Sequence, residues 1–93
     1  MKITVRTFAD FREILGFREK EIPLPEGETV GGLLNGLCKV HPVLQGKLFD
    51  AAGELKPYVI VLKNGRNVVS LQHLDTVITD GDVIAVFPPV AGG

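Results

Sequence analysis

Cysteine occurs once in the 93-residue chain, at Cys38, and histidine twice, at His41 and His73. A single cysteine makes no internal disulfide, so the expected compartment is the cytoplasm. Cys38 and His41 are spaced i, i+3, but no second ligand pair follows, and a structural zinc site wants four. No bound metal is expected. With so few histidines and one cysteine there is no Ser/His/Asp or Cys/His set to build a nucleophilic centre. The chain is not expected to be a catalyst on its own.

Other absences narrow the field further. The basic residues are scattered from Lys2 to Arg66, the net charge is -1 and aromatics are few. No basic stripe tracks a phosphate backbone, and no aromatic sits in a basic surround, which argues against nucleic acid as a partner. Apolar runs are too short to cross a membrane, and the alternating start, Met1 to Phe8, lacks the apolar stretch of a signal peptide. Gly27, Gly31, Gly32 and Gly36 do not form a phosphate loop, because Leu37 rather than lysine follows Gly36. Asp80 and Asp82 flank Gly81 and read as a turn before a strand.

What remains is a soluble pattern: 45% hydrophobic and 23% charged residues, enough for one small core. Residues 2–8 alternate as a strand, with Ile3 and Val5 on one side. Residues 9–16 read as a short helical turn closed by Gly16, with Phe11, Ile14 and Leu15 on one face. Residues 17–24 carry charges and two prolines, as an edge strand does.

Thr29 is a good helix N-cap. Val30, Leu33, Leu34, Leu37 and Cys38 then recur at helical spacing until His41-Pro42. Gly31, Gly32 and Gly36 each cost that helix roughly 1 kcal/mol relative to alanine, and close approach of a sheet would be one reason for them. Cys38 falls on the apolar stripe and reads as a buried, inert thiol. Residues 43–56 read as loop plus a helical turn. Tyr58–Leu62 reads as a central strand, Asn64-Gly65 as a tight turn, 66–69 as a short returning strand, and 82–87 as the last strand.

The order of elements predicts an α+β fold, one mixed sheet covered by one main helix. With the first and last strands as the central pair, this is the β-grasp, or ubiquitin-like, arrangement. Residues 1–87 form the domain and 88–93 an extended, flexible Gly-Gly tail. Pro88 and Pro89 end the ladder at Phe87. Val90 and Ala91 are small, and Gly92 and Gly93 carry no side chain. Fully extended, residues 88–93 would reach roughly 20 Å, at about 3.3–3.6 Å per residue. Such a stalk suits a deep, narrow cleft on another protein. Its chemical asset is the Gly93 carboxylate, a poor acyl donor until it is activated. The last strand is apolar on both sides, Val83, Ala85 and Phe87 against Ile84 and Val86, so that one set can fill the core while the other meets a partner.

Three stretches carry a resemblance: Leu62-Lys63-Asn64-Gly65, Thr79-Asp80-Gly81-Asp82, and Phe87-Pro88-Pro89-Val90-Ala91-Gly92-Gly93. In their order and spacing the chain resembles the MoaD/ThiS family of ubiquitin-like sulfur carriers, on the branch of the molybdopterin synthase small subunit. The resemblance implies that an E1-like enzyme spends ATP to adenylate Gly93. A sulfur donor protein then leaves a thiocarboxylate there. The tail enters the large subunit of molybdopterin synthase and gives its sulfur to a pterin precursor of the molybdenum or tungsten cofactor. Phe87, Pro88 and Pro89 would contact the partner, and Val90, Ala91 and Gly92 would line its cleft. The chain itself would bind no cofactor. The same tail resembles that of protein modifiers joined through Gly93 to lysines of other proteins, which is the alternative expectation. Carriers for thiamin thiazole or for tRNA thiolation form a third, and a passive interaction module a fourth.

Overall fold

The computed structural model describes residues 1–89. Its elements are β1 (Lys2–Thr7), α1 (Ala9–Leu15), β2 (Glu19–Pro23), α2 (Val30–Val40), α3 (Val43–Leu48), β3 (Ile60–Lys63), β4 (Arg66–Asn67) and β5 (Val83–Phe87), with 3-10 turns at Val68–Ser70 and His73–Asp75. The strands form one mixed sheet in the order β2-β1-β5-β3-β4. β1 runs parallel to β5 and antiparallel to β2, and β3 is antiparallel to both β5 and β4. The first and last strands are therefore the inner pair and β2 is an edge, as the alternation predicts.

One face of the sheet is closed and the other open. Ile3, Val5, Val61, Ile84 and Val86 are buried against the helical layer, which contributes Phe11, Leu15, Val30, Leu33, Leu34, Leu44 and Leu48. Burying one such aliphatic or aromatic side chain is worth about 1.5–3 kcal/mol. The layer holds more than the one expected helix. α1 and α3 are both short; α3 packs beside α2, and α1 against α3, β1 and β5, each with two residues in the core. Where residues 43–56 were expected to be loop plus a helical turn, α3 supplies the turn and is followed by a bridge between Phe49 and Leu55.

α2 begins at Thr29, whose hydroxyl accepts from Gly32 N–H at 3.1 Å. Its buried residues are Val30, Gly31, Leu33, Leu34 and Cys38, with Leu37 partly covered. Gly31 does lie at a close approach, but the neighbour is not the sheet. A Cβ there would stand 3.1 Å from both the Leu74 Cβ and the Leu74 carbonyl oxygen. The 3-10 turn at 73–75 is therefore what the missing side chain admits.

Two other expectations change. β4 has two residues rather than four, because Asn67 caps a 3-10 turn by accepting from Val69 N–H. Tyr58 lies outside β3 and is exposed, while Val59 just before the strand is buried. No helix among the described residues is long and apolar enough to cross a membrane.

Candidate functional site: the root of the C-terminal tail

β5 is the middle strand of the sheet, flanked by β1 and β3, and Pro88 follows directly from it. Its residues alternate as predicted. Ile84 and Val86 are buried, and Val83, Ala85 and Phe87 are half-buried on the open face. Ile60 stands opposite Phe87 and Leu62 opposite Ala85. Ile60 keeps 42% of its surface exposed. Together these residues make an apolar strip across an otherwise charged face that carries Lys2, Arg6, Glu19 and Glu21.

Phe87 does not stand alone. Its ring stacks on Phe8 with centroids 4.1 Å apart and planes 11° from parallel. The Arg12 guanidinium lies 5.7 Å from the Phe8 centroid. It is held there by donating to the Thr7 carbonyl at 3.1 Å. Such an aromatic pair is worth about 0.5–1.5 kcal/mol beyond its buried area. Phe8 was read only as the end of the first strand. The signal for it is the parallel register: Thr7 lies beside Val86, so the next residues, Phe8 and Phe87, meet.

Pro88 is half-buried and Pro89 exposed. They border a hollow of about 450 Å³ shared with Asp10, Phe11, Gly46, Lys47 and Lys56. Two lysines thus stand beside the tail's base. The remaining site residues of the sequence reading, Val90, Ala91, Gly92 and Gly93, lie outside the described residues. A larger hollow of about 580 Å³ lies on the far side of β3, against the 3-10 turn at 73–75, and shares only Lys56 with the tail root.

The start of β5 is held by a polar cluster. The Asp82 carboxylate, buried, accepts from the Asn64 side-chain amide and from Thr79 N–H, each at 2.8 Å, and lies 3.5 Å from the Lys63 ammonium. Burial pushes the Asp82 carboxyl up, but the hydrogen bonds from Thr79 and Asn64 and the Lys63 charge outweigh it and hold the group below its ordinary value. The two motifs Lys63-Asn64-Gly65 and Thr79-Asp80-Gly81-Asp82 thus meet in space. The sequence reading made Asp82 part of a simple turn. The turn is there, but the side chain is a buried acceptor.

Cys38 is buried in α2, and burial pushes its thiol up, which lowers its thiolate fraction. His41 caps the end of α2, and His73 opens an exposed 3-10 turn. Among the described residues no three His, Cys, Asp or Glu side chains are placed to hold a metal.

Residues 5–93 match the ThiS family model. The chain is 45% identical over 93 residues to small archaeal modifier protein 3 of Haloferax volcanii, covering all of both chains. It is 31% identical over 93 residues to the molybdopterin synthase sulfur carrier subunit of Chlamydomonas reinhardtii, again covering all of both. The crystal structure of SAMP1 from Haloferax volcanii superposes with a TM-score of 0.84 at 34% identity over the whole of both chains.

Proposed function

The chain belongs to the ThiS family of ubiquitin-like proteins, and from that membership we propose that it acts through the α-carboxylate of Gly93. A carboxylate resists nucleophiles until it carries a leaving group. In the proposed first step an oxygen of the Gly93 carboxylate attacks the α-phosphorus of ATP on an E1-like enzyme. Pyrophosphate leaves, and a mixed acyl–phosphate anhydride remains. ATP and the groups that polarise it belong to the partner.

The acceptor of that acyl group defines the function. We assign it first to lysines of other proteins. A lysine amine attacks the Gly93 carbonyl, AMP leaves, the amine proton passes to a base on the partner, and an isopeptide forms. The observation that carries this reading is 45% identity, across all of both chains, to a protein named as a modifier. The second reading is favoured by the full-length match to a sulfur carrier subunit of molybdopterin synthase. There the terminal sulfur of a donor persulfide displaces AMP. A thiol then releases the Gly93 thiocarboxylate as the donor becomes a disulfide, and the sulfur passes to a pterin on the large subunit.

In both readings the described residues do the same work. The apolar strip of Ile60, Leu62, Ala85 and Phe87 seats the partner. Phe8 backs Phe87, so the root of the tail keeps its direction. Pro88 and Pro89 carry the chain off the sheet, and small residues follow so that the tip enters a narrow cleft.

The test is mass spectrometry after incubation with the E1-like enzyme and ATP. With a sulfur donor, the carrier reading expects replacement of one oxygen by sulfur at Gly93. With candidate target proteins, the modifier reading expects a branched peptide. Arg66 is the last basic residue, so trypsin would leave residues 67–93 on the acceptor lysine. Neither product, with the enzyme active on another carrier, would overturn the proposal.

A further inference from the structure

The sheet has a second interaction surface, on the side away from the tail. β2 is an edge strand, and its backbone has one neighbour, β1. The pairing register says which groups are free. Leu24 N–H donates to the Met1 carbonyl at 2.9 Å, and Thr7 N–H to the Arg18 carbonyl at 3.0 Å. In an antiparallel ladder, hydrogen-bonded and non-hydrogen-bonded pairs alternate. The pairs Ile3–Ile22 and Val5–Lys20 are then the bonded ones, and Thr4–Glu21 and Arg6–Glu19 are not. Thr4 confirms the phase, since its N–H turns the other way and donates to the Asp82 carbonyl. The N–H and C=O of Glu19 and Glu21 therefore point outward, and they have no backbone partner among the described residues.

Beside this edge runs a groove of about 370 Å³ between β2 and α2. Leu15, Phe17, Ile22, Leu33, Gly36 and Leu37 line it. Its walls are mainly apolar, with Lys20, Glu21, Glu28 and His41 also on its border, and at Gly36 a Cβ would meet no atom within 4 Å. A free strand edge and an apolar groove on the same side of the sheet complement one polymer, an extended peptide. Its backbone would bond to Glu19 and Glu21, and alternate side chains would drop into the groove.

The occupant is narrowed by charge. Residues 18–28 carry four carboxylates, Glu19, Glu21, Glu26 and Glu28, against Arg18 and Lys20; Glu19 is met by Arg6 at 2.6 Å, and Glu21 is the edge carboxylate with no ion pair among the described residues. The side chains of Glu19 and Glu21 lie on the open face, where they would flank the outward side chains of an added strand. A second copy of this chain fits poorly. A two-fold pairing of two β2 edges centred on Lys20 or Glu21 sets like charges opposite each other. One centred on Ile22 sets Glu21 against Pro23, which has no N–H to give. Like charges directly opposite are destabilising, and proline at an edge blunts self-pairing.

We infer that the β2–α2 groove binds an extended segment of a partner protein by strand addition, a segment in which aliphatic residues alternate with lysine or arginine. The surface shares no residue with the tail root, so a partner held there leaves Gly93 free to react. This inference stands apart from the identity of the Gly93 acceptor.

The probe is the capped peptide Lys-Val-Lys-Val-Lys-Val-Lys, titrated into the full ¹⁵N-labelled chain. The expected result is amide shifts confined to β2 and α2, with slowed hydrogen exchange at Glu19 and Glu21. N-methylation of the inner lysines of the peptide, which removes its donors to the edge, abolishes both. Gly36→Leu fills the groove from a position with open space around it, and the shifts are lost while the unbound spectrum stays folded. Shifts on the Phe87 face, shifts without protection at Glu19 and Glu21, or no response at millimolar peptide would each overturn the inference. So would shifts at β2 that appear on concentrating the chain alone, since the occupant would then be a second copy.

Discussion

Asn64 and Asp82 stand 18 positions apart in the chain and are joined by a 2.8 Å hydrogen bond from the Asn64 side-chain amide to the Asp82 carboxylate. Asn64 does more than hold that group. Its side-chain oxygen accepts from Val83 N–H, and its own N–H donates to the Val83 carbonyl, each at 2.8 Å. The β3–β4 turn is thereby stitched to the first residue of the strand that carries the tail. Asn64 sits at φ 50° and Gly65 at φ 84°, as a two-residue hairpin turn demands.

Removing Asn64 should therefore cost more than an ordinary turn substitution. Asn64→Ala leaves a buried carboxylate short of a donor and places alanine at positive φ. A loss of about 1–3 kcal/mol is expected, read from urea unfolding at neutral pH.

The same cluster sets a pH dependence. The folded carboxyl of Asp82 lies below its ordinary value, so between the two values the unfolded chain binds the proton and the native chain does not. The stabilisation is fully present above the unfolded value, about 3.9, and is lost as pH falls through the depressed folded value. The stability gap between the wild type and Asp82→Asn should shrink as the pH is lowered through that window. A gap that stays constant would remove Asp82 as the cause.

Phe8 and Phe87 should be coupled. In a double-mutant cycle the alanine variants are expected to interact by about 0.5–1.5 kcal/mol in stability. Each alone should weaken adenylation of Gly93 on the E1-like enzyme, measured as ATP–pyrophosphate exchange. Strict additivity would reduce the stack to a coincidence of neighbours.

Deleting Gly92 and Gly93 should abolish every covalent product while leaving the thermal midpoint unchanged. Among the described residues the buried hydrophobic core runs from Ile3 to Val86. A fall in the midpoint would mean that the tail is part of the fold.

The glycines of α2 should respond in opposite directions. Gly31→Ala would press on Leu74 at 3.1 Å and destabilise. Gly36→Ala meets open space and should gain about 1 kcal/mol from helix propensity. Chemical denaturation of both variants checks the pair.

How much of this could be read from the chain follows the range of the forces involved. Period-two alternation in β1 and β5, the apolar stripe of α2, the Thr29 cap, the Asn64-Gly65 turn and the prolines that stop β5 are local patterns, and each lies where the periodicity predicts. α3 could be read as a helical turn within 43–56 but not bounded, because six residues carry too few apolar positions to show a period; tertiary contact of Leu44 and Leu48 fixes it. The second half of the strand expected at 66–69 was lost to a side-chain cap at Asn67, which competes with the ladder over one residue.

By itself, the amino-acid order determined the fold class, the inner strand pair and the end of the sheet at Phe87, because alternation, helical spacing and proline act within a few residues. Only the tertiary structure decided that Phe8 backs Phe87, that Asn64 and Lys63 hold Asp82, that Gly31 admits Leu74, and that β2 faces outward beside a groove. Each of these joins residues distant in sequence, and their meeting depends on the parallel β1–β5 register and the order of the strands, which no local pattern encodes.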